Sequence, residues 1–299
     1  MTRPPPLRNR AVTGRVRDLR RQYEEDLGLL VGIPSVSSEP DHAPDVRRCA
    51  EAAAGLLRRS GATAEVARTA GHPVVHAFLG EDPRNPTVAI YNHLDVQPAD
   101  PSEWSGDPFA LTIAKGRYYG RGATDDKGPA LATMMAAALA RDDGIPLNFQ
   151  FLWELEEEIG SPHFVSFLKE RRRSMAADSI LVSDTIWAAR NAPSIPYGLR
   201  GLLPATLSLR TARADVHSGV AGGVARNPLL EMAELLAACC DAPTGEVKIP
   251  GFYDGIREPP GAVMRDFIDA SGFTRKGFAR DLGLASIRRS ISTDLDAVK

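Results

Sequence analysis

Strand-like and helix-like segments alternate along the first two thirds of this chain, and this order limits the folds that it can adopt. Four apolar runs of strand length are "HPVVHAFLG", "PTVAIYN", "LNFQFLW" and "SILVS". Helical patterns occur in "VRDLRRQYEEDLGLLVGI", in "DVRRCAEAAAGLLRRSG", over about residues 129–140, and after Ser161, a predicted N-cap with Pro162 as first helical residue. This order predicts an α/β layer architecture with the apolar runs as core strands.

The pattern changes after about Gly201. The stretch "LPATLSLRTAR" alternates apolar and polar residues, which predicts a half-exposed antiparallel strand. A helix is predicted over "NPLLEMAELLAACC". We therefore expect two domains, covering residues 1–200 and 201–299.

Charge and cysteine content exclude several classes of protein. The formal net charge of -2 gives no general attraction to nucleic acid or to anionic membranes. The longest apolar run, residues 130–140, is too short to span a bilayer. The arginine-rich start has no apolar stretch behind it, which favours a solvated tail over a secretory signal, with an organelle transit peptide as the alternative. Three cysteines without a CxxC motif fit a reducing cytoplasm.

Acidic clusters follow strands or open helices at four places. They are "HLD" (His93, Asp95), "RGATDDKG" (Asp125, Asp126), "ELEEEIGS" (Glu156, Glu157, Glu158) and "VSDT" (Asp184). The carboxyl ends of strands form the functional edge of open α/β sheets, so these side chains are expected to lie close together. Crowded carboxylates repel each other unless a cation lies among them. Imidazole with carboxylates suits Zn²⁺, and Mn²⁺ or Co²⁺ is also possible.

Each cluster alone has a simpler interpretation. A histidine at a strand end is usually structural, "DDKG" is a common turn before a helix, and an acidic triplet often lies in a solvated first helical turn. The combination favours a metal site, because order, strand-end placement and ligand type all agree.

The same motifs resemble the di-zinc peptidases of metallopeptidase family M-twenty, which include carnosinase, cytosolic dipeptidases, carboxypeptidase G, aminoacylase and succinyl-diaminopimelate desuccinylase. The matching segments are "HLDVQP", "EWSGDPFALTIAKGRYYGRGATDDKGP", "ELEEEIGSP", "LVSDT", "YGLRG" and "DVHSGVAGGVARNP". The forms "HSGVAGG" and "GFYDGIREPP" are most similar to the dipeptidase branch. The resemblance implies a catalytic α/β domain with a mixed sheet flanked by helices, and an inserted α+β lid or dimerisation domain.

The resemblance also implies roles for individual residues. The implied metal ligands are His93, Asp125 as the bridge between two metals, Glu158 and Asp184. Glu157 would be the general base, and Asp95 would orient the His93 side of the site. His217 would reach the active site of a partner subunit and stabilise the oxyanion. Asp126 would be a helix-opening acid, and Glu156 a solvated neighbour.

Cofactors, substrate and partners follow from the same resemblance. It implies two divalent metal ions, dipeptides or N-acyl amino acids as substrates, and a homodimer formed through the second domain. Two alternatives stay open: a non-catalytic remnant that binds metal or dimerises, and a deacylase or desuccinylase of the same superfamily.

Two departures from the family pattern are visible. Asn92 stands where the family often has glycine before the metal histidine, and no histidine follows His217 to supply the family's fifth metal ligand. We therefore expect a fragment of a longer reading frame or a truncated product with a damaged site, ahead of pairing with a second chain. Such a chain would lack full activity and would expose unpaired strand edges and core surface.

Overall fold

In the computed structural model, residues 9–185, 196, 201–257 and 260–298 are described. The chain divides into two compact units, Met1–Asp184 and Thr185–Lys299. The predicted boundary at residues 200 and 201 touches Arg200, which lies outside the described residues, as does most of the "YGLRG" motif.

The first unit contains four helices and seven strands among its described residues. The helices are α1 (Asn9–Val31), α2 (Ala43–Arg59), α3 (Lys127–Asp142) and α4 (Phe164–Glu170). The strands are β1 (Thr63–Ala67), β2 (Val74–Leu79), β3 (Thr87–His93), β4 (Thr112–Ala114), β5 (Arg117–Tyr119), β6 (Asn148–Glu154) and β7 (Ser179–Val182).

Five strands form one mixed sheet in the order β1-β2-β6-β3-β7, and β4 and β5 form a separate hairpin. Strands β1, β2 and β6 pair antiparallel, whereas β3 is parallel to both β6 and β7. The three parallel strands therefore end at one edge of the sheet, where His93 is in register with Glu154. The predicted mixed sheet flanked by helices is confirmed.

Helices cover both faces of this sheet. The larger core contains side chains from α1, α2 and α3 packed on the sheet, and Phe151, Trp153 and Leu57 in it are fully buried. A smaller cluster on β1, β2, β3 and β6 packs against Phe167 of α4. Because helices cover both faces, all seven residues of β6 are buried, the polar Asn148, Gln150 and Glu154 included.

Three local predictions are wrong. The run "SILVS" forms a strand, but β7 lies at the sheet edge with all four residues exposed rather than in the core. Ser161 does not cap a helix: its φ of 52° is left-handed, and α4 begins later, after His163. Residues 203–213, all of them described, form no strand, because alternation alone does not provide a hydrogen-bonded partner.

The second unit is mainly helical in its described part. Its elements are α5 (Ser218–Ala221), α6 (Pro228–Cys239), β8 (Cys240–Asp241), β9 (Glu246–Val247), α7 (Gly261–Ser271), α8 (Arg275–Asp281) and α9 (Asp294–Val298). The predicted helix over "NPLLEMAELLAACC" is confirmed as α6, which follows an Asn227 cap and begins with Pro228. No helix in the described part of the chain is both long and apolar enough to cross a membrane.

Candidate metal centre

His93 is the last residue of β3, and its side chain is buried at the edge where the parallel strands end. Its Nε2 lies 2.9 Å from Asp125 Oδ1, and its Nδ1 lies 3.1 Å from the backbone oxygen of Asp95. Burial lowers the pKa of His93, but hydrogen bonds to Asp125 and Asp95 and the charges of Asp95 and Asp126 outweigh burial and raise the pKa to about 11. The imidazole therefore lies in a strongly negative field.

The loop before α3 presents two aspartates to His93. Asp125 is exposed, and its hydrogen bond to His93 lowers its pKa. Asp126 is fully buried; its Oδ2 accepts hydrogen bonds from Asn92 Nδ2 at 2.7 Å and from His93 N at 3.3 Å. Its Oδ1 is buried with no hydrogen-bond partner among the described residues, and burial raises the pKa of Asp126 to about 8.

A buried lysine fixes the position of this loop. Lys127, the first residue of α3, donates hydrogen bonds to the backbone oxygens of Leu30 at 2.9 Å and Ile33 at 2.8 Å. These oxygens lie at and just after the C-terminal end of α1, where helical carbonyls have no partner within the helix. Lys127 thus ties the aspartate-bearing loop to a second element.

The acidic triplet after β6 is divided among three environments. Glu156 is buried, Glu157 Oε2 lies 4.0 Å from His93 Nε2, and Glu158 Oε2 accepts a hydrogen bond from Gln97 Nε2 at 2.8 Å. Burial raises the pKa of Glu157, the charge of His93 opposes that rise, and the nearby acids Asp184, Glu158 and Asp95 add to it. The prediction that Glu156 is solvated is therefore wrong.

Asp184 follows β7 and completes the cluster. Its Oδ2 lies 3.9 Å from His93 Nε2. Burial raises its pKa, the charge of His93 opposes that rise, and the charge of Asp125 adds to it.

Asp95 lies behind the cluster and is fully buried. Its carboxylate accepts hydrogen bonds from Ser37 Oγ at 2.6 Å, Glu157 N at 3.2 Å and Glu158 N at 3.1 Å. Its Oδ1 is also 3.5 Å from His93 Nδ1. One carboxylate therefore contacts both the histidine and the turn that carries the glutamates.

Two overlapping groups have ligand atoms close enough to share one ion. They are His93, Asp125 and Glu158, and His93, Asp126 and Asp184, each with ligand atoms within 4.8 Å of one another. An imidazole with several carboxylates is a donor set that divalent metals accept. The unpartnered Asp126 Oδ1 and the raised carboxyl pKa values also fit a centre that a cation would complete.

His217 lies in the second unit, where it precedes the short helix α5 and is exposed. Its Nδ1 accepts a hydrogen bond from Gly219 N at 3.0 Å. The described contacts of His217 are local, and its predicted role stays a prediction.

Sequence reasoning missed several residues of the cluster. Asp126 does open α3, but its side chain turns toward His93 and Asp184 rather than capping the helix. Asn92, which stands in place of the family's glycine, donates hydrogen bonds to Asp126 and to the backbone oxygen of Ser183. Its position directly before His93 at a strand end was the available signal.

A family model and two known proteins match this chain, and all three are peptidases. The model of peptidase family M20/M25/M40 matches residues 89–257. Cys-Gly metallodipeptidase dug1 of Schizosaccharomyces pombe is 37% identical over 253 residues, 79% of this chain and 53% of that protein. Beta-Ala-His dipeptidase of Homo sapiens is 40% identical over 189 residues, 62% of this chain and 37% of that protein.

Solved structures extend the likeness to the fold. The crystal structure of human carnosine dipeptidase 1 aligns with a TM-score of 0.75 at 27% identity, covering 98% of this chain and 64% of that one. An M20 family metallo-carboxypeptidase, Sso-CP2 from Sulfolobus solfataricus, aligns with a TM-score of 0.72 at 27% identity, covering 92% and 62%. The chain spans about half the length, or less, of the two curated relatives, the Schizosaccharomyces pombe and Homo sapiens dipeptidases.

Proposed function

Because the chain belongs to peptidase family M20/M25/M40, we propose that it takes part in metal-dependent hydrolysis of the peptide bond in dipeptides. The observation that carries this proposal is the convergence of one imidazole and five carboxylates, from four separate segments, at one sheet edge. The names of the relatives, Cys-Gly and Beta-Ala-His dipeptidases, favour dipeptides over N-acyl amino acids.

We propose that two divalent ions, with zinc as the preferred metal, occupy this centre. His93, Asp125, Glu158 and Asp184 would hold them, and the buried carboxyl group of Asp126 would support the group that contains His93 and Asp184. When bound, such ions polarise a scissile carbonyl and lower the pKa of water enough to give a nucleophile near neutral pH.

Glu157 is the general base in this proposal. It lies beside His93 but outside both ligand groups, so its carboxylate is free to accept a proton from the attacking water. Burial raises its pKa, which improves its ability to hold that proton and to pass it to the leaving amine. His217 is proposed to reach the active site of a second copy of this chain and to donate a hydrogen bond to the developing oxyanion there.

Hydrolysis assays of this chain on Cys-Gly and β-Ala-His, with metal removed by chelation and then restored, test the proposal. We expect turnover only with metal, and a loss in kcat of about 10²-fold or more in Glu157→Gln, because the amide cannot accept the proton. The exposed Glu51→Gln on α2 is the matched control.

Metal analysis on the same samples gives a second, independent reading. We expect two ions per wild-type chain and per Glu157→Gln chain, since Glu157 lies outside the ligand groups. Turnover that survives complete chelation, or a Glu157→Gln variant with full kcat, would contradict the mechanism. Two bound ions without turnover on any dipeptide would support the non-catalytic alternative.

A further inference from the structure

We propose that Glu156 and His163, together with the backbone at Gly71 and His72, form a clasp that positions Glu157 and Glu158. These four residues are called the Glu156 clasp below, and Glu156 and His163 are its positioning residues. The inference rests on the proposed function for the roles of Glu157 and Glu158. The clasp itself lies outside both ligand groups.

The contacts of Glu156 account for both of its carboxylate oxygens. Oε1 accepts a hydrogen bond from His72 N at 2.8 Å, and His163 Nδ1 lies 3.0 Å from Oε2 and 3.2 Å from Oε1. The side chain of Glu156 is only 6% exposed. This side-chain orientation is the favourable one for Glu156, because any other orientation would leave a buried carboxylate without hydrogen-bond donors.

The fixed direction of Glu156 constrains the two residues that follow. The short 3₁₀ turn Glu157–Ile159 begins directly after Glu156, and the backbone oxygen of Glu156 accepts from Ser161 N at 2.8 Å. On the other side, the amides of Glu157 and Glu158 donate to Asp95. The turn is therefore held between Asp95 and the clasp, which directs Glu157 toward His93 and Glu158 toward Gln97.

The loop that supplies His72 is itself fixed. Thr69 Oγ1 accepts from Gly71 N at 2.9 Å and donates to the backbone oxygen of His72 at 2.6 Å. His72 Nε2 lies 3.1 Å from the backbone oxygen of Ser37, the same residue whose hydroxyl donates to Asp95. The clasp and Asp95 thus share one anchor in a loop before α2.

Gly71 fits against the clasp with no room for a side chain. A Cβ at this position would overlap Glu156 Oε1 and would lie 2.5 Å from His163 Nδ1. Its φ is not in the left-handed region, so alanine is excluded by the clasp and not by the backbone. Gly71→Ala is therefore expected to push the side chains of Glu156 and His163 away from the Gly71 backbone without altering any charged group.

The experiment is local hydrogen exchange on the metal-free chain, followed by metal titration. In Gly71→Ala and Glu156→Ala we expect exchange in peptides covering residues 155–161 to accelerate about tenfold or more, the effect of losing roughly one charged hydrogen bond. Peptides from β2 and β6 should keep their wild-type rates, which separates local loosening from global unfolding.

Two conservative variants and one matched control test whether the hydrogen bonds of the clasp cause the protection from exchange. Glu156→Gln keeps an acceptor for His72 N, and His163→Asn keeps a nitrogen donor near the Nδ1 position, so both should restore most of the protection. Gly106→Ala, at an exposed loop glycine with nothing within 4 Å, should leave exchange unchanged.

Metal titration of the same variants supplies the second readout. We expect the ion that depends on Glu158 to bind about 10–100-fold more weakly, as for other residues that orient ligands, while the ion held by His93 and Asp184 keeps its affinity. Wild-type exchange over residues 155–161 in both Gly71→Ala and Glu156→Ala would overturn the clasp. Failure of the wild-type chain to hydrolyse dipeptides would instead count against the proposed function, because the exchange result does not depend on turnover.

Discussion

Among single residues, Asp95 contacts more parts of the metal centre than any glutamate of the acidic triplet does. It accepts from Ser37 and from the amides of Glu157 and Glu158, and it also approaches His93. Because all its donors are buried or half-buried, its removal leaves several of them without a partner.

We predict that Asp95→Ala lowers the free energy of unfolding by about 3 kcal/mol or more, since hydrogen bonds to a charged group contribute roughly 1.5–3 kcal/mol each. Urea denaturation measures this change. Ser37→Ala removes only one of the donors and should cost less. Equal losses in the two variants would show that the glutamate amides draw no stability from Asp95.

His76 provides a residue-scale prediction away from the centre. It is buried on β2, accepts a hydrogen bond from Gln150 Nε2 at 2.8 Å, and packs 4.7 Å from the ring of Phe78. Burial lowers its pKa, and the nearby Arg171 adds to that effect, while Glu65 opposes it. The folded state therefore favours the neutral ring.

The sign of the pH dependence follows from that lowered pKa. In the unfolded chain the pKa of this histidine is about 6.5, so above that pH the ring is neutral in both states. Below that pH the unfolded state binds the proton first, and the free energy of unfolding falls. We predict that the stability difference between wild type and His76→Gln shifts against wild type as pH falls from about 7.5 to 5.5. A difference that stays constant across urea titrations at both pH values would contradict the assignment.

At the scale of elements, β7 is the feature with the clearest consequence. Among the described residues it pairs only with β3, and Ile180 on it is 71% exposed. An exposed apolar strand at a sheet edge is a template for pairing with other chains.

We predict that Ile180→Lys reduces aggregation of the chain, because a charged side chain on an edge strand opposes strand addition. Light scattering against protein concentration measures the effect. Ile145→Lys, at a similarly apolar but non-strand position, is the control and should change scattering less. If both variants scatter as wild type does, β7 is not the strand edge through which the chains aggregate.

At the scale of the whole molecule, the family resemblance predicts a homodimer formed through the second unit. Helix α6 there carries a row of exposed leucines, among them Leu229 at 79% and Leu230 at 71%. Exposed apolar surface of this kind is typical of a protein–protein interface.

We predict that Leu230→Asp shifts the chain toward monomer, measured by light scattering coupled to size-exclusion chromatography. The substitution adds a charge at an exposed position, so the fold should be retained. Ile145→Asp in the first unit is the matched control and should leave the oligomeric state unchanged. A wild-type chain that is already monomeric at high concentration would refute the predicted dimer.

From the sequence alone we could predict strands β2, β3, β6 and β7, helices α1, α2, α3 and α6, and acidic clusters that follow strands or open a helix. These features are local: apolar runs mark strands, and the residue after a parallel strand lies at the sheet edge wherever that strand is placed. His93, Asp125, Glu157, Glu158 and Asp184 could therefore be predicted as neighbours, and they lie together.

Which acids are buried, and what they contact, follows from how the chain folds and could not be predicted from the sequence. Glu156 is held by His72, far away in the chain, and Asp126, in the loop before α3, is held by Asn92 on β3. Neither the burial nor the partner of a carboxylate is encoded in the local pattern, so the sequence predicts a solvated Glu156 and a helix-opening Asp126. The same holds for β7, whose apolar residues form an exposed edge. A carboxylate's environment depends on hydrogen-bond donors supplied by distant segments, and these segments meet only when the chain folds.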